Sequence, residues 1–111
     1  MTLGISSREY QQRLETLQQK VRQRGLDLLL VSSMDSIYYL TGASFEPLER
    51  PFFLLVRGNR APILLVPKLD QKHMRKAYGI AVENVVTYWE YPATPKRSWP
   101  NRLKELIGGV R

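Results

Sequence analysis

Residues 25–31 read GLDLLLV, and this stretch decides the fold class. Residues 26–31 form a short, almost continuous apolar run, which only Asp27 interrupts and two serines follow. A run of this length between such boundaries is typical of a β-strand that is buried on both faces of a sheet. It is also far too short to span a membrane.

A helix is predicted before this strand, over about residues 6–24. Ser6 and Glu9 have the S-x-x-E spacing of a capping box, which satisfies amide donors at a helix start. Gly25 suits a helix end. Apolar side chains recur between them at helical spacing, at Tyr10, Leu14, Leu17 and Val21. A helix followed by a buried strand predicts an α/β layer rather than a helical bundle.

The middle of the chain predicts a short helix and a hairpin. Asp35 suits the N-cap of a helix over residues 36–40, and Gly42 suits its end. Residues 52–56 and 63–66 have the composition of two strands. The segment between them has a Gly-Asn centre, so we expect a β-hairpin.

The second half predicts a helix, a strand and a helix. We expect the helix before the strand to end at Gly79 and to carry Leu69, His73 and Ala77 on one face. Residues 82–89 predict a fourth strand. Ser98 suits the cap of a last helix with Pro100 in its first turn and with three apolar residues directed inward, Leu103, Leu106 and Ile107.

The sequence does not indicate a self-contained catalytic site. Residues 32–35 (SSMD) follow the first strand in place of a glycine-rich turn, so neither a dinucleotide fingerprint nor a P-loop is present. The absence of cysteine excludes a thiolate zinc site and a cysteine nucleophile. We expect the single histidine, His73, to be a partly buried structural residue, and we expect Glu46 and Glu49 to lie in a solvated loop.

The net charge of +7 permits a second interpretation, a stand-alone module that binds nucleic acid or a protein partner. The basic residues are scattered from Arg8 to Arg111, however, and this distribution favours a solvated surface. The N-terminus has no signal-peptide pattern and the chain has no cysteine, so we expect a cytoplasmic protein without a membrane segment.

The order of the elements resembles the N-terminal domain of the creatinase, prolidase and aminopeptidase P group. Four segments carry the resemblance: residues 13–17 (RLETL), 25–31 (GLDLLLV), 35–42 (DSIYYLTG) and 64–67 (LLVP). It extends over about residues 6–107. It implies a mixed β-sheet with helices on both faces, in a ribonuclease H-like motif.

The resemblance also implies a larger enzyme, a dimeric or higher-order metallopeptidase that cleaves the bond before a proline. Its catalytic domain would have a pita-bread fold and would hold two divalent metal ions, manganese, cobalt or zinc, through two Asp, one His and two Glu. None of those ligands maps onto this sequence. Residues 1–111 would then be an N-terminal domain that ends before its last strand, and its partners would be that catalytic domain, a second subunit and a proline-containing peptide.

Residues 45–50 (FEPLER) correspond to a loop that, in creatinase-like members of the group, reaches the active site of the neighbouring subunit. Arg50 lines up with an arginine that holds a substrate carboxylate there, and its planar guanidinium suits bidentate binding. Glu46 and Glu49 belong to the same loop, and Leu48 stands where the group has an aromatic residue. The resemblance therefore makes Arg50, Glu46 and Glu49 the candidate substrate contacts.

Four aromatic residues near the end of the chain are candidates either for the core or for an apolar contact surface: Tyr88, Trp89, Tyr91 and Trp99. Core packing is the more ordinary role for each.

Overall fold

The computed structural model describes residues 7–43, 51–89 and 98–108. These residues form helices and strands in an alternating order typical of an α/β domain. Their bounds are α1 (Ser7–Gln23), β1 (Leu29–Val31), α2 (Met34–Thr41), β2 (Phe53–Val56), β3 (Ile63–Pro67), α3 (Gln71–Met74), β4 (Val85–Tyr88) and α4 (Trp99–Gly108). Single 3₁₀ turns at Lys68–Asp70 and Val82–Asn84 precede α3 and β4.

The strands form one mixed sheet in the order β1-β2-β3-β4. Strand β2 is antiparallel to both of its neighbours, with Leu54 opposite Leu64 in the predicted hairpin. Strands β3 and β4 are parallel, with Leu64 opposite Val85, and a crossover through α3 joins them. The predicted mixed sheet is confirmed.

Helices cover both faces of this sheet, as predicted. On one face, alternate residues of β2 and β3 pack with α1, α2 and α3 in a cluster that includes Leu54, Val56, Leu64, Val66, Leu14, Val21, Ile37 and Met74. On the other face, α4 packs through Leu103 and Leu106 against a smaller cluster formed by Phe53, Leu55, Leu65 and Tyr88. The period-two alternation of side chains along a strand produces this division.

The prediction that the first strand is buried on both faces is wrong. Strand β1 lies at the edge of the sheet, and Leu30 is 39% exposed. Leu29 and Val31 pack partly against the larger cluster, whereas α4 packs against β3 and β4 at the other end of the sheet. Helix α4 therefore does not cover the face of β1 that carries Leu30.

Helix α2 begins earlier than the sequence predicted. The Oγ of Ser33 accepts a hydrogen bond from the Ser36 amide at 3.0 Å, so Ser33 is the N-cap in place of Asp35. Asp35 lies in the first turn, where its charge still suits the helix dipole. At the other end Gly42 adopts a φ of 76°, and a Cβ there would lie 2.9 Å from the rings of Tyr10 and Tyr78.

The predicted inward face of the third helix is also wrong. Met74 and Ala77 are buried, whereas His73 is exposed and Leu69 is 78% exposed. The 3₁₀ turn at Lys68–Asp70 changes the angular spacing of the side chains before α3 begins, which a regular helical period does not anticipate.

The last helix follows its prediction with one exception. Leu103 and Leu106 pack inward, but Ile107 is 41% exposed. Within the described ranges no helix has the length and apolar character needed to cross a membrane.

Candidate functional site

A broad concave surface lies between α1 and α2, and we call it the α1–α2 groove. It consists of two adjoining hollows of about 260 and 430 Å³ that share Leu17, Tyr39 and Leu40. One hollow is lined also by the polar or charged side chains of Glu9, Gln12, Arg13, Thr16 and Lys20. The other reaches Leu29 and Val31 of the edge strand.

Arg13 is fixed in the polar part of this groove. Its Nη1 donates a hydrogen bond to the main-chain oxygen of Tyr39 at 2.7 Å, and its guanidinium carbon lies 4.0 Å from the centre of the Tyr39 ring. A carboxylate oxygen of Glu9, on the preceding helical turn, lies 3.8 Å from Nη2. Through these contacts with a ring face, a carbonyl and a carboxylate, the Arg13 cation links α1 to α2.

Two exposed tryptophans, which we call the tryptophan edge, flank the last gap in the described chain: Trp89 follows β4, and Trp99 is the first residue of α4. Each is 38% exposed. Trp99 also packs on Phe53, with ring centres 5.4 Å apart. Tyr88 lies in the core, and its hydroxyl donates to the Pro51 oxygen at 2.9 Å. Half-exposed tryptophans of this kind are enriched where one protein surface meets another.

The loop between β2 and β3 is held against α1. The side-chain amide of Gln18 donates to the main-chain oxygens of Arg57 and Arg60 at 3.0 and 2.9 Å. The guanidinium of Arg22 donates to the Gly58 oxygen. Three main-chain carbonyls of the loop therefore have partners on one helix, which fixes the position of the loop.

Most of the candidate site residues that the sequence singled out lie outside the described part of the chain. Arg50, Glu46 and Glu49 lie outside the described residues, as does Tyr91, and their roles stay predictions. His73 is an exposed residue of α3. Among residues 7–43, 51–89 and 98–108, no three His, Asp or Glu side chains converge as a metal site requires.

Two arginines were missed by the sequence analysis, Arg13 in the groove and Arg57 at the end of β2. Arg13 carried a local signal, because Glu9 and Tyr10 stand four and three residues before it on the same helix. Arg57 carried none, since its surroundings come from α1 and from the hairpin loop, which are far apart in the sequence.

Comparison with known proteins agrees with this architecture. The sequence profile of a family described as the Creatinase/Prolidase N-terminal domain matches residues 13–110. An uncharacterized peptidase of Staphylococcus epidermidis is 28% identical over 65 residues, which make up 59% of this chain and 18% of that protein.

Two solved structures from streptococci are also similar. The N-terminal domain of an X-Pro dipeptidase from Streptococcus pyogenes is 31% identical with a TM-score of 0.65, and the match covers 72% of this chain and 59% of that one. A domain of a dipeptidase from Streptococcus thermophilus is 29% identical with a TM-score of 0.63, over 70% of this chain and 57% of that one.

The matched segment spans less than two thirds of each of these relatives. The family profile, in contrast, extends over most of the present chain, and the mixed sheet with helices on both faces is the fold of the matched domains. The chain belongs to the Creatinase/Prolidase N-terminal domain family.

Proposed function

We propose that this chain acts as the non-catalytic N-terminal domain of an Xaa-Pro peptidase of the prolidase or aminopeptidase P type. Its role would be to contact other subunits and to shape the substrate cleft. The family match over residues 13–110 carries the proposal, supported by relatives that are N-terminal domains of dipeptidases.

Catalysis would take place in a pita-bread domain of the same polypeptide. That domain would hold two divalent metal ions, manganese, cobalt or zinc, and would bind the proline-containing peptide. The described residues of the present chain do not fit such a metal pair, because no three of their acidic or histidine side chains converge. In this proposal the domain contributes surface rather than chemistry.

The tryptophan edge supports a role in contacts with a second subunit or with the catalytic domain. Trp89 and Trp99 are exposed to the same extent, and Trp99 is anchored on Phe53. A large ring that is held on one side and exposed on the other loses little side-chain entropy when a partner covers it. We propose that this surface contacts a second subunit in a homodimeric enzyme.

Arg50, with Glu46 and Glu49, would contact the substrate from the neighbouring subunit. The guanidinium would hold the peptide carboxylate through a bidentate pair. In the intact peptidase, an Arg50→Lys variant should raise KM for a dipeptide and leave kcat nearly unchanged, and an unchanged KM would remove this role. The cytoplasmic location also remains a prediction.

An activity assay tests the proposal directly. The purified chain should not cleave an Xaa-Pro dipeptide in the presence of manganese, cobalt or zinc, whereas a full-length dipeptidase in the same buffer should. Metal-dependent cleavage by the purified chain would contradict the proposal. An antibody against the domain should detect a polypeptide several times heavier than 12.9 kDa in source cells. A band at 12.9 kDa would favour a stand-alone binding module.

A further inference from the structure

The loop that follows β2 forms a cleft that no peptidase role explains. The cleft has a volume of about 180 Å³ and is lined by Leu26, Asp27, Arg57, Gly58, Asn59 and Arg60. We call it the hairpin cleft. Because Gln18 and Arg22 hold the loop from α1, the cleft is a fixed feature of the fold rather than one of many loop shapes.

The guanidinium of Arg57 is only partly hydrogen-bonded within the described part of the chain. Its Nη2 donates to the Ala61 oxygen at 2.6 Å, but its Nε is shielded from solvent and has no hydrogen-bond acceptor within the described part of the chain. A guanidinium does not lose its proton in a protein, so the charge remains. Removing part of a charged group from water without a partner costs free energy, which an anion at the exposed part of the group would offset.

A second positive charge lines the same cleft. Burial lowers the pKa of Arg57, and the neighbouring charge of Arg60 lowers it further. Two like charges that face one space raise the electrostatic potential there and favour a negative ligand. Asp27 is the acidic side chain among the lining residues, and it forms no ion pair with a described arginine.

The main chain of the loop adds donors. Within the described residues, neither the Gly58 nor the Asn59 amide donates a hydrogen bond to another group. Consecutive amides in a bent loop, beside arginine side chains, are the donor set that oxyanions prefer. A volume of about 180 Å³ leaves room for a group larger than one water molecule, which takes up roughly 30 Å³.

We propose that the hairpin cleft binds a small oxyanion through Arg57, Arg60 and the loop amides. The ligand is either a free phosphate-type ion or a carboxylate presented by another protein segment, since both offer the same acceptor atoms. The site is independent of the peptidase role, and its failure would leave that role unaffected.

Titration of the ¹⁵N-labelled chain with inorganic phosphate tests the site at constant ionic strength. We expect saturable shifts of the Arg57 side-chain Nε–H signal and of the Gly58 and Asn59 amides. A parallel titration with acetate distinguishes the sources. Saturation by phosphate alone indicates a phosphate-type ligand, and saturation by acetate as well indicates that the site accepts a carboxylate, the group that another protein segment would present. Shifts that grow linearly with either anion would overturn the proposal.

Three variants make the assignment specific. Arg57→Gln should weaken phosphate binding about tenfold or more, because the variant loses a charge-assisted hydrogen bond to the anion. Asp27→Asn should strengthen binding, since it removes the competing carboxylate. Arg75→Gln removes the same charge from an exposed position that does not line the cleft, so it should change the affinity much less.

The dispersion of the amide spectrum shows whether each variant is folded. If Arg57→Gln does not fold, Arg57→Lys and Asp27→Asn still test the site. Asp27→Asn should then bind more tightly than the parent chain and Arg57→Lys more weakly. Changes of similar size and opposite direction in Asp27→Asn and Arg75→Gln would reduce the effect to net charge and would overturn the site, and so would an affinity of Asp27→Asn equal to that of the parent chain.

Discussion

Strands β1 and β3 have almost the same sequence character and very different surroundings. Residues 28–31 read LLLV and residues 63–66 read ILLV. Strand β3 lies between two neighbours and is buried along almost its whole length, whereas β1 exposes Leu30 and, among the described strands, pairs with β2 alone. An apolar run therefore indicates a strand but does not indicate whether that strand is central or at an edge.

Truncating one leucine in each strand should give the largest difference. Leu64 is 0% exposed and Leu30 is 39% exposed. We expect Leu64→Ala to lower the free energy of unfolding by about 2–5 kcal/mol, because it leaves a cavity between the sheet and its helices. Leu30→Ala should cost about 1 kcal/mol or less. Urea unfolding followed by circular dichroism measures both, and equal losses would contradict the contrast.

Two glycines with positive φ extend the contrast between confined and open positions. Gly42 has a φ of 76° and little space, whereas Gly25 has a φ of 66° and no atom within 4 Å of the place that a Cβ would take. Gly25→Ala should cost about 1–2 kcal/mol from backbone strain alone. Gly42→Ala should cost more, since the stacked rings of Tyr10 and Tyr78 must also move. Thermal unfolding that ranks the two variants in the opposite order would show that the rings yield easily.

Substitutions at the start of α2, which follows the edge strand β1, should have a smaller effect on the free energy of unfolding. Ser33→Ala removes the hydrogen bond to the Ser36 amide and should cost about 1 kcal/mol. Asp35→Asn retains a polar side chain in the first turn and should cost about 0.5 kcal/mol through the helix dipole. Chemical unfolding of both variants checks the assignment. A larger loss for Asp35→Asn would restore the cap that the sequence predicted.

The smallest expected change in stability is at the tryptophan edge. Trp89→Ser should change the free energy of unfolding by no more than a typical surface substitution does, about 0.5 kcal/mol, and should reduce self-association in sedimentation experiments. Tyr88→Ser, one residue earlier and in the core, serves as the matched control and should destabilise the fold strongly. Unfolding of the Trp89 variant would assign this ring to the core and remove it from the contact surface.

The sequence predicted the elements better than their environments. The strand within residues 26–31 and the hairpin were correct because each depends on local composition and spacing. The edge position of β1 was not predictable, since the neighbours of β2 are set only in the folded chain. The exposure of His73 was missed for a different reason, because a 3₁₀ turn before α3 interrupts the regular helical spacing.

The candidate site was less predictable than the fold. Arg13 acquires its role from Tyr39, which is 26 residues away, and the loop carbonyls that Gln18 binds are 39 and 42 residues away. Such pairs have no spacing rule in a single sequence. Arg50, Glu46 and Glu49 rest on the family resemblance, and their roles remain predictions.

The edge position of β1 has a consequence for behaviour at high concentration. Within the described residues its outer main-chain groups face no neighbouring strand, and an unpaired edge is a template for intermolecular β-pairing and aggregation. Two features restrain this tendency. The strand has only three residues, and Asp27 stands just before it with a charge that opposes stacking of identical chains. The short length of β1 and the charge of Asp27 therefore protect the chain from aggregation, although part of a strongly apolar segment is exposed.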